Sequence, residues 1–154
     1  MSILILAEHN NVTITPATLS ALTAALQIDA KDIHLCVLGA SCKVGSDAAL
    51  EHPLAETYTE VLKSIAKNYT HILAPATTFG KNILPRLAAQ LDVGQLSDII
   101  SVENPTTFKR PIYAGNGIAT VESSDPIKVM TVRATAFDKA ADKGGSAVLE
   151  TLTI

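Results

Sequence analysis

Apolar runs of strand length alternate along this chain with stretches whose apolar residues recur every three or four positions. Ser2 to Ala7 (SILILA) is continuously apolar, which predicts a first strand covered on both faces. Thr15-Pro16 offers a hydroxyl N-cap and a proline at the first helical position, and Leu19, Leu22 and Leu26 mark the buried stripe of the helix behind them. Ile33 to Leu38 reads as a second strand, closed by Gly39. From Pro53 to Lys67, the residues Leu54, Tyr58, Val61, Leu62 and Ile65 predict an amphipathic helix. His71 to Ala74 is a strand ending at Pro75. Ile83, Leu84, Leu87, Ala88 and Leu91 then mark another helix, with Pro85 in its early turn.

Beyond Asp92 strands follow in quick succession: Ile99 to Glu103, Lys109 to Ala114, Ile118 to Ser123 and Lys128 to Arg133. Asn116-Gly117 suits a type I′ hairpin, which needs positive φ at both central residues, and Ser124-Asp125-Pro126 suits the next turn. The fold class expected is α/β, a three-layer Rossmann-like (adenine nucleotide alpha hydrolase-like) sheet, mostly parallel, with antiparallel strands added by the C-terminal third. Thr135 to Ile154 reads as a loose connection into a short strand. Residues 1–154 are expected to form a single domain.

Composition narrows the function classes. The chain is 47% hydrophobic and 18% charged, with 12 Lys+Arg against 15 Asp+Glu and a net charge of −3. Enough apolar material is present for a core, and the basic footprint of a nucleic-acid binder is absent. No apolar run approaches the roughly 20 residues needed to span a bilayer, and the first residues lack the basic start of a secretory signal. A soluble protein of a cytoplasm-like compartment is expected. Cys36 lies in the run IHLCVL, where a strand would bury it, and Cys42 in a loop; neither has metal-ligand spacing, so no metal is expected.

Candidate chemistry gathers at two strand ends. In HILAPATTFGKNILPR a strand feeds a small-residue turn and then a helix N-terminus, where Thr77, Thr78, Gly80 and Lys81 could cradle an anion. Neither G-x-G-x-x-G nor the Walker pattern is present, so the alternative is a turn that only caps the helix. His9, after the first strand, sits where doubly wound sheets place ligands, with Glu8 available to tune it and Asn10 and Asn11 beside it. The alternative there is a polar loop. His71, opening its strand, suits a hydrogen-bonding role at the strand end, and His34 and His52 are isolated. No G-x-S-x-G elbow exists, and Asp98, Glu103 and Glu122 are too scattered to form an acid/base pair. No catalytic residue is assigned.

The run HILAPATTFGKNILPRLAAQLDVGQLSDIISVE, followed by TFKRPIYAGNGIATVESSDPIKVMTVRATAF, closely resembles the N-terminal domain of the electron transfer flavoprotein alpha subunit, as does the opening SILILAEHNN. The resemblance implies an electron carrier rather than an enzyme. It implies pairing with a beta subunit in a heterodimer that holds FAD and shuttles electrons from acyl-CoA and other dehydrogenases to a quinone oxidoreductase. The flavin would be held through a C-terminal domain that this chain lacks, so no cofactor is expected on the chain itself. The compartment implied is bacterial cytoplasm or mitochondrial matrix. The alternative reading is a stand-alone adenine-nucleotide-binding α/β domain.

Family members carry a further helix and strand between the second strand and the segment ALEHPLAE, whereas here Leu38 is followed only by GASCKVGSDA. Two strands flanking one long crossover would leave the sheet a strand short at its centre. Either the element is deleted, or residues are missing from the sequence, in which case neighbouring Cα atoms between Ser41 and Asp47 would lie much farther apart than about 3.8 Å.

Overall fold

The computed structural model of the chain describes residues 1–41, 47–143 and 146–152. In order, the elements are β1 (Ser2–Leu6), α1 (Pro16–Leu26), β2 (Asp32–Cys36), α2 (Ala55–Ala66), β3 (His71–Pro75), α3 (Thr78–Gln90), β4 (Gln95–Ile99), β5 (Ser101–Asn104), β6 (Thr107–Ile112), β7 (Gly117–Glu122) and β8 (Lys128–Val132). Five parallel strands form a sheet in the order β2-β1-β3-β8-β4, and β5-β6-β7 form an antiparallel sheet of their own.

Strand alternation builds the three layers. Leu4, Leu6, Ile72, Ala74 and Val129 face α2 and α3 in one apolar cluster, while Ile3, Ile5, Leu73, Met130 and Val132 face α1 and Phe108 of the small sheet in another. Both faces of the central strands are therefore covered, as their continuous apolar runs require. Phe108 is fully buried, with its ring edge-on to His71 at 6.5 Å between centroids. The α/β class and the mostly parallel sheet hold.

Several details differ from the sequence expectation. The buried face of α1 is Thr18, Ala21, Ala24 and Ala25, followed by Ile28, whereas Leu26 is 61% exposed. Small side chains let the helix approach the sheet closely, and the leucine spacing tracks the rim of that face. The strand expected from Ile99 to Glu103 is two strands parted at Ile100: β4 joins the parallel sheet and β5 starts the antiparallel one. The last of the expected added strands, β8, is parallel and lies inside the main sheet between β3 and β4. The antiparallel strands thus replace a helix as the connection between two neighbouring parallel strands.

The Asn116-Gly117 turn also shifts. Ile112 pairs with Gly117, and positive φ falls on Tyr113 (49°), Ala114 (55°) and Gly115 (95°), while Asn116 is at −74°. The loop has four residues, and its left-handed positions precede the asparagine. Ser146 to Thr151 show no strand where a short one is expected.

The sheet is not short at its centre, because the crossover from β2 to β3 passes over β1 and leaves β1 between them. The incomplete place is the β2 edge. None of its residues is fully buried: Asp32, His34 and Leu35 are exposed, Leu35 at 41%, while Ile33 and Cys36 are half-buried. Cys42 and most of the Ser41 to Asp47 stretch, with the Cα spacing it was to test, lie outside the described residues. Among the described residues no helix is long and apolar enough to cross a membrane.

Candidate functional site

Strand order reverses beside β1: α1 carries the chain to β2 on one side, α2 to β3 on the other. In open α/β sheets, ligands bind in the crevice at the carboxyl ends of such a pair. Here that crevice lies between the turn after β1, carrying Glu8 and His9, and the turn after β3, carrying Thr77 and Thr78. The two turns singled out in the sequence therefore meet. A cleft of about 620 Å³ opens beside them, lined by Glu8, His9, Asn11, Tyr58, Thr78 and Phe79 among others.

Each side chain at the crevice is held in place. The Glu8 backbone N–H donates to Thr18 Oγ1 at 3.0 Å, and its carbonyl accepts from the Thr15 N–H at 2.9 Å and from Thr18 Oγ1 at 3.2 Å. This fastens the first turn to the start of α1 and aims the carboxylate at the second turn. There the Thr77 hydroxyl donates to Glu8 Oε2 at 3.0 Å. Thr77 is the N-cap residue of α3; its side chain makes no capping bond to the helix and instead donates its hydroxyl hydrogen to Glu8. The negative charge that the start of α3 attracts is supplied by the chain itself.

His9 is committed as well. A backbone carbonyl only accepts, so Nε2–H donates to Leu38 O at 2.8 Å, which leaves Nδ1 to accept the Asn11 N–H at 3.1 Å. Leu38 O also accepts from Tyr58 Oη at 2.9 Å, tying the ends of β1 and β2 to α2. Glu8 turns to Thr77 rather than to His9. The imidazole is a clamp between loops, and Asn10 Oδ1 closes its own turn by accepting from the Val12 and Thr13 N–H groups.

The remaining anion candidates do not converge. Gly80 is buried, and a Cβ built on it would stand 2.0 Å from Pro75 O, so this glycine is required for close packing of α3 on β3. Lys81 is exposed and bonds Thr77 O only through its backbone N–H; its charge acts instead on Asp98. The fit to a dinucleotide is therefore poor. A pyrophosphate at this crevice would meet the Glu8 carboxylate, and the residues present do not suit the phosphates of FAD.

A second polar group, absent from the sequence expectation as a unit, joins the two sheets. Asp98 sits at φ 61° where the β4 register slips between Leu96 and Ile99. Its N–H donates to Thr131 Oγ1 at 2.8 Å, and Arg133 donates to its carboxylate through both Nε and Nη2. Those bonds hold the Asp98 carboxyl below the usual carboxylate range. Arg110, on β6, donates to Ser97 Oγ at 2.6 Å. A Ser-Asp pair at a strand end carries no sequence mark that two arginines, one 13 and one 35 positions on, will close around it.

Among the described residues no group of three or more His, Cys, Asp and Glu side chains could hold a metal ion. His71 is a strand-end hydrogen-bonder, with Nε2–H on Pro105 O at 2.7 Å and Nδ1 2.8 Å from Thr70 Oγ1.

Comparison with known proteins agrees with this picture of a doubly wound domain. A family model described as electron transfer flavoprotein domain matches residues 3–154. The electron transfer flavoprotein subunit alpha of Pseudomonas aeruginosa is 50% identical over 166 aligned residues, covering 97% of this chain and 53% of that protein. The mitochondrial subunit alpha of Dictyostelium discoideum is 44% identical, with 94% of this chain and 47% of that protein covered, and the subunit alpha of Paracoccus denitrificans is 39% identical, with 98% and 54% covered. The chain spans about half the length of these relatives, and the aligned stretches exceed its 154 residues, so the relatives carry residues that this chain lacks. With the family model matched from Ile3 to the last residue, the chain belongs to the electron transfer flavoprotein family.

Proposed function

We propose that this chain is the N-terminal α/β domain of an electron transfer flavoprotein alpha subunit and that its work is architectural: it pairs with a beta subunit and supports a flavin held elsewhere. The observation that carries this reading is the Glu8–Thr77 bond. A domain whose switch-point crevice is filled by its own carboxylate is suited to position a nucleotide-bearing partner rather than to grip a nucleotide. Relatives named as subunits alpha support the assignment, since such a name implies at least one other kind of subunit.

In this reading the FAD of the complete carrier is contacted chiefly by a C-terminal domain outside this chain. Electrons pass from acyl-CoA and other dehydrogenases to a quinone oxidoreductase through the whole complex. The chain contributes no catalytic group, and it works in bacterial cytoplasm or its mitochondrial equivalent.

The test is co-elution of the purified chain with a cognate beta subunit on a sizing column, beside calorimetric titration of the chain alone with AMP, ATP and FAD. Co-elution without nucleotide binding is the expected result. Saturable nucleotide binding by the chain alone would favour a stand-alone nucleotide-binding domain instead.

A further inference from the structure

The cleft beside Glu8 and Thr77 carries negative charge with no counter-charge among the described residues. Glu8 and Glu51 both line it, no lysine or arginine does, and the ion pairs among the described residues, Lys109–Glu103 and Arg133–Asp98, use neither carboxylate. Glu8 Oε2 accepts from Thr77, whereas Oε1 accepts from no described residue, and neither oxygen of Glu51 does. Helix α3 starts here, and its positive end, equivalent to about half an elementary charge, leaves about −1.5 of the two carboxylates uncompensated.

The walls decide which kind of positive charge fits. Tyr58 and Phe79 line the cleft and stand edge-on to each other, ring centroids 6.1 Å apart. The bond from Tyr58 Oη to Leu38 O fixes one ring, and Phe79 is only half-buried, so an aromatic surface is open to the cleft. Asn11 and Asn82 add amide side chains that hydrogen-bond to no described residue. A bare metal ion is poorly served, because among the described residues no three His, Cys, Asp or Glu side chains converge to hold one. An ammonium is a strongly hydrated point charge that gains little from ring faces. A guanidinium is planar and weakly hydrated, stacks on aromatic rings, and offers five N–H donors that match carboxylate and amide oxygens. A volume of about 620 Å³ admits such a group with its aliphatic stem.

We infer that this cleft is a binding site for a guanidinium group, with Glu8 and Glu51 supplying the charge, Phe79 the stacking face and Asn82 a further acceptor. Glu8 then serves twice: Oε2 holds the start of α3 through Thr77, and Oε1 accepts from the ligand. The same chemistry comes from a free arginine-like molecule or from an arginine side chain of another polypeptide. The inference goes beyond the architectural reading and does not depend on it.

The test titrates the purified chain at low salt with N-acetylarginine amide, its neutral isostere N-acetylcitrulline amide, and N-acetyllysine amide, following backbone amide NMR shifts. The arginine probe is expected to saturate shifts at Glu8, Asn11 and Thr78 with a Kd of about 1–10 mM, and the citrulline probe to leave them unmoved. Glu8→Gln should weaken binding about tenfold and Phe79→Leu or Glu51→Gln about threefold, while Glu122→Gln, a carboxylate outside the cleft, stays within about twofold. Glu51 is exposed, so its variant tests the charge without disturbing the fold, and thermal unfolding checks the other variants. Absence of saturable shifts, equal binding of citrulline, or an equal loss in Glu122→Gln would overturn the site. Lysine binding as tightly as arginine would overturn the guanidinium assignment, and tighter arginine binding by Lys43→Ala would make the occupant the chain's own lysine and overturn it too. Repeating the arginine titration with a cognate beta subunit bound separates the sources: lost affinity means that the subunit supplies the side chain, and unchanged affinity means a free ligand. Co-elution with that subunit is measured separately, so a failed titration leaves the architectural reading standing.

Discussion

Glu8 and Thr77, 69 positions apart, are joined by a 3.0 Å hydrogen bond across the point where the strand order reverses. In α/β sheets that bind nucleotides a phosphate sits at such a helix N-terminus at the switch point, and here the Glu8 carboxylate stands there instead. In the unaltered chain, inorganic phosphate should raise the unfolding temperature no more than chloride at matched ionic strength. Glu8→Gln keeps an acceptor for the Thr77 hydroxyl and removes the charge, so it should gain a phosphate-specific stabilisation. Thr77→Val should cost about 0.5–1.5 kcal/mol in urea unfolding. A phosphate effect already present in the unaltered chain would contradict this account.

Gly80 admits no side chain. A methyl group 2.0 Å from Pro75 O forces α3 off β3, and overpacking of this kind costs about 1–3 kcal/mol or more. Gly80→Ala should lower the unfolding free energy by that amount, seen as a lower urea midpoint at unchanged slope, and a midpoint equal to that of the unaltered chain would show that α3 can shift freely.

Burial makes His71 harder to protonate than an exposed histidine, despite the opposing pull of its bond to Pro105 O. Its folded-state pKa lies below the unfolded value of about 6.5, so the unfolded chain binds the proton more readily. The stabilisation is complete above that value and is lost as the pH falls through it toward the depressed one. Urea midpoints should therefore drop between pH 7.5 and pH 5.5, and His71→Gln should show a smaller drop. Equal pH dependence in the two proteins would remove His71 from the explanation.

Burial likewise pushes the Cys36 thiol up to about 11, so almost none is thiolate at neutral pH. In a Cys42→Ser background, Cys36 should react with a disulfide reagent at pH 8 far more slowly when folded than in urea. Similar rates would mean that the β2 edge opens readily.

At Ala114 the φ of 55° suits glycine better than alanine. Ala114→Gly should stabilise the domain by about 1 kcal/mol, seen as a rise of roughly 2–4 °C in Tm. An unchanged or lowered Tm would show that the flexibility glycine adds to the unfolded chain outweighs the relief.

What was legible in the sequence was what is local. The period of Val61, Leu62 and Ile65 marks α2, and the run at His71 marks β3, because each pattern records burial by its own neighbours. The segment of β8 also carries a mark of its placement. KVMTV is buried at four successive positions, whereas GIATVE alternates, and continuous burial is the mark of a parallel strand covered on both sides. The β2 edge was not legible, since an apolar run does not record what is missing beside it. Glu8 and Thr77 were each recognisable as strand-end residues, but their meeting depends on strand order, which no local spacing encodes. At the hairpin, the Asn-Gly pair drew the turn to itself while the left-handed residues lay just before it.

The placement of β8 also sets a schedule. During synthesis, β3 and β4 emerge with a strand-wide gap between them, and the strand that fills it is completed only at Val132. Until then the nascent chain holds two unsatisfied sheet edges facing each other, a state open to pairing with strands of other chains. A ribosome stalled before Lys128 would leave an aggregation-prone intermediate, and the sheet can close only after the chain through Val132 has emerged.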